Sequence, residues 1–215
     1  MEQEAGCLIQ CGARHSGPDP APSTQHPSPI AIGLIALLCA HPAAALTIER
    51  AESRYVDKHY QFEFVATLDA PVDRVQAVLR DYANYPALDE RILEARVEER
   101  PTQYAAILAT TVRACFGPFC RNVKRVERVE EAPLELTAIS DPKRSDVKFG
   151  ETHTMLSVAE GRTRVSYRTA ITPAFWIPPI GGRRWLLNTL SEATIELFKN
   201  VEQRAQALPA EKITK

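Results

Sequence analysis

No sign of charge predominates in this sequence, where 26 Lys and Arg stand against 27 Asp and Glu, and nothing in that balance calls for nucleic acid. Motifs that carry chemistry are missing too. There is no G-x-S-x-G elbow, no H-E-x-x-H, no P-loop and no G-x-G-x-x-G after a strand, which weakens the case for an enzyme. No internal repeat is present. Long apolar runs are absent apart from Ile30 to Ala40, which falls short of the roughly 20 residues that cross a bilayer.

That single run points to a compartment. In "IAIGLIALLCAHPAAAL" an uncharged apolar stretch is followed by Pro42 and a small-residue tail, the layout of a secretory signal with an A-x-A site at Ala43–Ala45. Cleavage is expected before Leu46, placing the mature chain in the periplasm or an equivalent exported space. The alternative is an uncleaved N-terminal membrane anchor. Residues 1–28 are rich in Pro, Ser and Gly and read as disordered, so 1–45 is assigned as presequence plus signal peptide.

Cysteine then becomes informative through its scarcity. Of the five in the chain, Cys7, Cys11 and Cys39 leave with the presequence, and only Cys115 and Cys120 remain. A lone pair in an oxidising compartment is most simply a disulfide. The two cysteines flank Phe116-Gly117-Pro118-Phe119, a hairpin loop between the strand-like runs "QYAAILATTVRAC" and "CRNVKRVERVE". Residues opposed across such a pair have Cα atoms about 4.5 to 5.5 Å apart, within disulfide reach. A redox motif normally has two residues between its cysteines, and zinc needs two further ligands. His59 and His153 are the imidazoles available, in no metal spacing. Neither a metal nor a cofactor is expected.

The remainder fits one domain, read as a linker over 46–57, a folded unit over 58–208 and a tail over 209–215. "QFEFVATL" alternates Phe62, Phe64, Ala66 and Leu68 with more polar residues, the pattern of a half-buried strand. "DAPVDRVQAVLRDYANYPAL" places Val72, Val75, Leu79 and Tyr82 on one side of a short helix. Pro86 disfavours helical geometry at Tyr85, so a second short helix follows. Six strand-like runs then form an antiparallel meander, with Val165, Tyr167, Thr169 and Ile171 on an inner face. "DVKFGETHTMLSV" does not alternate cleanly and predicts a bulge near Gly150. The chain closes in a long amphipathic helix whose stripe reads Leu187, Leu190, Thr194, Leu197, Val201 and Ala205.

This order of elements resembles the α+β helix-grip arrangement of the SRPBCC, or START-like, superfamily. "FEFVATLDAPVDRVQAVLRDYANYP" is similar to the opening of its polyketide cyclase/dehydrase and coenzyme Q-binding branch, where a strand leads through an Ala-Pro turn into a helix ending Asp-Tyr-x-x-Tyr-Pro. "PAFWIPPIGGRRWL" is similar to exported bacterial members. The resemblance covers about residues 58 to 207 and implies a curved sheet gripping the long helix around a cavity for lipids, quinones, steroids or polyketides.

In that arrangement the cavity entrance falls near Tyr85, Leu88, Phe175 and Trp176, and the interior is lined by Phe149, Tyr167 and Leu190, in a volume of roughly 300 to 1,000 Å³. Two charged motifs compete for attention. Glu151 and His153 lie two apart on one strand and make an acid/base pair if their face is the cavity. Arg183 and Arg184 follow Gly181-Gly182 at the start of the last helix, where exposed amides and arginines together suit an anionic headgroup. The sequence thus reads as an exported protein that binds a hydrophobic small molecule or lipid without catalysis, with transient membrane-surface contact as a further expectation. Its rivals are a cyclase or dehydratase and a small interaction module with a filled core.

Overall fold

The first strand is one that the sequence pattern conceals. Thr47–Val56 (β1) pairs antiparallel with His59–Leu68 (β2) through a two-residue turn in which Asp57 and Lys58 have φ of 52° and 67°, the positive values a type I′ hairpin requires. The stretch 46–57 is therefore not a linker. Its residues are almost all exposed and carry no apolar alternation, because β1 is an edge strand. Charges hold it instead. Arg54 Nη2 lies 2.6 Å from Glu63, and Glu49 accepts from Arg164 at 2.8 Å. A charged edge also discourages pairing with other chains. The structure, a computed structural model, describes residues 46–209. The expectations for residues 1–45 and for 210–215 lie outside the described residues.

Along β2 the expected alternation is complete, with Phe62, Phe64, Ala66 and Leu68 all fully buried. Pro71 opens the helix Val72–Arg80 (α1), which turns Val75, Val78 and Leu79 inward. Tyr82–Ala87, containing Pro86, continues as a 3-10 helix. The meander follows as Ile92–Thr102 (β3), Ala105–Phe116 (β4), Phe119–Ala132 (β5), Glu135–Ser140 (β6), Val147–Ala159 (β7) and Arg162–Pro173 (β8). β2 pairs with β8, which gives one curved antiparallel sheet in the order β1-β2-β8-β7-β6-β5-β4-β3. The expected bulge lies between Val147 and Phe149. It brings Gly150 inward against Ser140, where a Cβ would overlap the hydroxyl.

Gly182–Ala207 (α2) crosses the concave face. The expected stripe is only half of what it buries. Thr194, Val201 and Ala205 are buried as read, whereas Leu187, Leu190 and Leu197 are half-buried, and Leu186 and Phe198 take the inner positions. The row at four-residue spacing through Leu186, Thr194, Phe198 and Glu202 faces the sheet. Phe198 stacks on Phe64 with centroids 5.3 Å apart and meets Tyr167 edge-on at 5.5 Å.

Cys115 and Cys120 are opposed in register and joined in a disulfide, as the sequence reading expects. Their Cα atoms are 3.9 Å apart, nearer than the roughly 4.5 Å of the tight pairs of an ordinary ladder. The loop is shorter than read. Phe116 pairs with Phe119, leaving Gly117-Pro118 as the turn, and the φ of 57° at Gly117 is the first central position of a II′ hairpin. Replacing both cysteines with serine is expected to lower stability by about 2 kcal/mol, the chain-entropy value for so short a loop. Denaturant unfolding of the double variant and non-reducing peptide mapping of the parent check it, and two alkylatable thiols in the purified parent protein would remove the staple from this account.

Candidate functional site

Small residues on neighbouring strands open a space beneath α2. Ala138 of β6 and Thr152 and Thr154 of β7 line it, in register with one another as Ala138 opposite Thr152 and Leu136 opposite Thr154. Leu108, Thr110 and Val112 of β4 extend the wall, and Tyr82, Tyr85, Leu197 and Phe198 close the helical side. The cavity measures about 180 Å³. This is below the expected range, because Leu197 and Phe198 project into it and Leu190 does not.

Two charges face this space. Pairing in β4–β5 sets Arg125 opposite Thr110 and Glu127 opposite Leu108, so both side chains point inward with Val129. Arg125 Nη2 reaches Glu127 Oε1 at 2.5 Å, and Ser140 Oγ donates to the same oxygen at 3.0 Å. Glu127 is 7% exposed. The Arg125 side chain is 25% exposed and is part of the cavity lining. Burial presses the Arg125 pKa down, but the Glu127 carboxylate outweighs it and leaves the guanidinium firmly charged. Its Nε is buried without a partner. An unpaired buried donor in a cavity wall is rare in native proteins and asks for an acceptor.

The phenols set the polarity of the remaining wall. Burial raises the Tyr167 pKa, opposed by the charge on Arg125, and burial raises that of Tyr85 as well. Both therefore stay neutral. Tyr85 donates to the Leu79 carbonyl at 2.7 Å. Tyr82 donates to Glu131 at 2.9 Å, and Arg100 adds a 3.1 Å ion pair to the same carboxylate. Thr152 and Thr169 satisfy each other at 2.9 Å. Among the described residues, Arg125 Nε is the fully buried side-chain donor of this wall that lacks a partner.

Of the residues read as lining the site, the structure brings Tyr85 and Tyr167 together and sets the others apart. Leu88 is buried and borders a separate groove of about 860 Å³ between the 3-10 helix and α2, where Asn200 donates to its carbonyl at 2.8 Å. Leu190 is packed between the main core and the Tyr60–Ile171–Leu186 cluster. Phe149 lies on the outer face against His59, centroids 4.5 Å apart, since the bulge gives the inner position to Gly150. Phe175 lies beneath Arg121 at 4.4 Å, and Trp176 is 76% exposed. The aromatics therefore do not rim one entrance.

The acid/base candidates also face away. Glu151 and His153 contact each other at 2.7 Å with both side chains well exposed, while the alternate residues of the strand, Thr152 and Thr154, face the cavity. Arg183 stacks on Tyr55 at 4.2 Å. Sequence reasoning missed Arg125, Glu127 and Phe198. Counting by two from Val123 to Val129 finds the charges on the inner face, but Val126 is buried on the opposite side and blurs that pattern.

No family model matches the sequence, and no curated protein matches it. Solved structures do. The chain is similar to the Zhui aromatase/cyclase from Streptomyces sp. R1128, at TM-score 0.60 and 14% identity over 72% of this chain and 98% of that one. It is similar to a fragment of a STAR-related lipid transfer protein from Xanthomonas axonopodis, at 0.58 and 16% over 76% and 99%. A START superfamily protein from Mycobacterium smegmatis gives 0.56 and 13% over 69% and 99%. Identities this low speak for architecture, and the architecture agrees: the chain has the helix-grip fold of the START-like superfamily.

Proposed function

We propose that this protein binds an amphipathic small molecule, apolar over most of its surface and carrying an oxygen acceptor or anionic group at one end, without transforming it. The observation that carries the reading is Arg125, whose Nε lacks a hydrogen-bond partner, in the wall of a cavity whose other charge, Glu127, is already paired with it and whose remaining lining is aliphatic, aromatic and threonine side chains. A carboxylate, quinone or polyketide oxygen satisfies that donor, and the aliphatic and aromatic wall takes the rest. About 180 Å³ holds one end of a lipid-sized molecule, so a longer ligand displaces Tyr82, Tyr85 or Phe198.

A second reading, a cyclase or dehydratase, draws on the same dyad. Arg125 would polarise a carbonyl and Glu127 would receive a proton beside it. The binding reading is preferred because Glu127 is already engaged by both Arg125 and Ser140. The third rival, a filled core, leaves the open space unexplained.

Anilinonaphthalene sulfonate, with its aromatic body and single anionic group, is a suitable probe. It is expected to bind one site with enhanced fluorescence. Ala138→Leu, which adds a side chain into the void, should weaken binding about tenfold, or about 1.4 kcal/mol, and leave stability within roughly 1 kcal/mol. Unchanged probe affinity in a folded Ala138→Leu protein would mean that the probe, and the proposed ligand, sit elsewhere. Native mass spectrometry of protein taken from its own envelope separates the two main readings: a retained lipid or quinone fits binding, and conversion of an added polyketide-like substrate fits the enzyme.

Export with cleavage before Leu46 is part of the same proposal. The disulfide suits an oxidising compartment, and among the described residues no helix is long and apolar enough to cross a membrane. N-terminal sequencing of the envelope form tests it.

A further inference from the structure

Three large apolar side chains are the most exposed of their kind among the described residues: Ile180 at 89%, Phe119 at 77% and Trp176 at 76%. They belong to one end of the molecule. Phe119 pairs with Phe116 across the disulfide-closed turn, and the Phe116 ring meets Trp185, at the start of α2, at 5.3 Å. Phe175, next to Trp176, is covered by Arg121 of the same hairpin. Ile180 precedes Gly181, which borders one groove with Cys115 and Trp185.

The backbone commits these side chains to solvent. Gly182 lies against Ile177 and Pro178 with no room for a Cβ, so the β8–α2 connection folds back on the helix start. Ile177 packs inward, while Trp176 and Ile180 point out. The hairpin tip is fixed by the disulfide. Both segments therefore present their apolar residues preorganised, with little ordering left to do on association.

Their charge has one sign. Residues 113–124 and 174–191 contain Arg113, Arg121, Lys124, Arg183 and Arg184 and no Asp or Glu. Arg121 and Arg183 stack on aromatic rings. From neighbouring elements, Glu90 and Glu192 share a groove with Arg113 and Arg184, and Asp146 accepts the Lys124 amide at 2.8 Å. None of Phe119, Trp176 and Ile180 lines that groove. Cations ringing exposed Trp, Phe and Ile match a bilayer surface, where aromatic residues occupy the headgroup level and basic residues meet anionic lipid.

We propose that this end, the disulfide hairpin with the β8–α2 connection, docks on an anionic phospholipid bilayer. The placement suits exchange with a membrane. Val112 lines the cavity, and Phe116 lies four residues further along β4, roughly 13 Å at strand rise. The proposal does not depend on cavity occupancy, and its test leaves the cavity untouched.

Flotation with vesicles of equal phosphatidylglycerol and phosphatidylcholine is expected to carry the protein, and vesicles of phosphatidylcholine alone to carry much less. Phe119→Ser with Trp176→Ser and Ile180→Ser should cut partitioning about tenfold or more without altering the melting curve, since all three side chains are exposed. Arg121→Gln with Arg183→Gln should weaken binding to the anionic vesicles and reduce its sensitivity to salt. With brominated lipid, Trp176 should be quenched, and the Trp176→Phe protein should lose most of that signal. Failure of the parent protein to float, or equal flotation of the triple serine variant, overturns the proposal. So does a parent dimer that the triple variant converts to monomer, since the surface would then cover a second copy of the chain.

Discussion

Replacing Arg125 with leucine is expected to lower stability by about 3 to 5 kcal/mol, the usual effect of leaving the other half of a buried ion pair alone. Glu127 would keep only the Ser140 hydroxyl at 3.0 Å, in a position 7% exposed. Because the Arg125 side chain is 25% exposed and lines the cavity, water entering the space left behind screens part of this effect, and the lower end of the range is expected. Changing both residues to leucine removes the orphaned charge and should recover most of the loss, since an apolar pair of similar volume is often as stable as the ions. A double-mutant cycle measured by urea unfolding gives the coupling directly. Near-additive losses would mean that the pair is not coupled in the folded protein.

The same variants separate stability from binding. If Arg125 anchors the ligand's acceptor through its free Nε, the double-leucine protein should be stable yet bind the sulfonate probe poorly. A hydrogen bond to a charged group contributes about 1.5 to 3 kcal/mol, so the affinity should fall between about ten- and a hundredfold. A double variant that binds the probe as well as the parent would confine Arg125 to a structural role.

How much of this was legible in the sequence depends on which forces hold each element. β2 and β8 could be read from period two because apolar burial alone holds them, as Phe62, Phe64 and Val165 show by their complete burial. The Cys115–Cys120 staple could be read from arithmetic and hairpin geometry. β1 could not. Its pairing is satisfied by backbone bonds to β2 and by ions such as Arg54–Glu63, and neither leaves an apolar signature. The α2 stripe was legible only in part, because Glu202 occupies a core-facing position and its charge breaks the pattern at the point where Phe198 should have been recognised. The cavity was hardest. Its existence comes from the smallness of Ala138, Thr152 and Thr154 on neighbouring strands, and side chains so small and weakly apolar add almost nothing to a period-two pattern. Phe149 was misplaced by one bulge residue, which reverses the face of everything on one side of it.

Glu202→Ala is expected to cost about 3 kcal/mol or more, a large effect for a residue with no role in the cavity. Its carboxylate is 6% exposed and accepts two backbone amides from distant parts of the chain, Asp69 N at 2.6 Å and Leu46 N at 3.1 Å. One oxygen fixes the turn that launches α1, and the other ties the approach to β1 against α2. Alanine leaves both donors without their charged acceptor, at about 1.5 to 3 kcal/mol for each such bond, less whatever water restores at the more open Leu46 end. Glutamine keeps one acceptor oxygen and should fall between alanine and the parent. The Leu46 contact also bears on processing. In a chain that begins at Leu46 this nitrogen is an ammonium, and the hydrogen bond becomes an ion pair with a largely buried carboxylate, so that form should melt higher than one whose Leu46 is preceded by further residues. The difference should vanish in Glu202→Gln, which cannot form the ion pair. Equal melting of the two forms in the parent background would show that the Leu46 nitrogen does not sense Glu202, and the link between cleavage and folding would be lost while the α1 anchor at Asp69 stood unchanged.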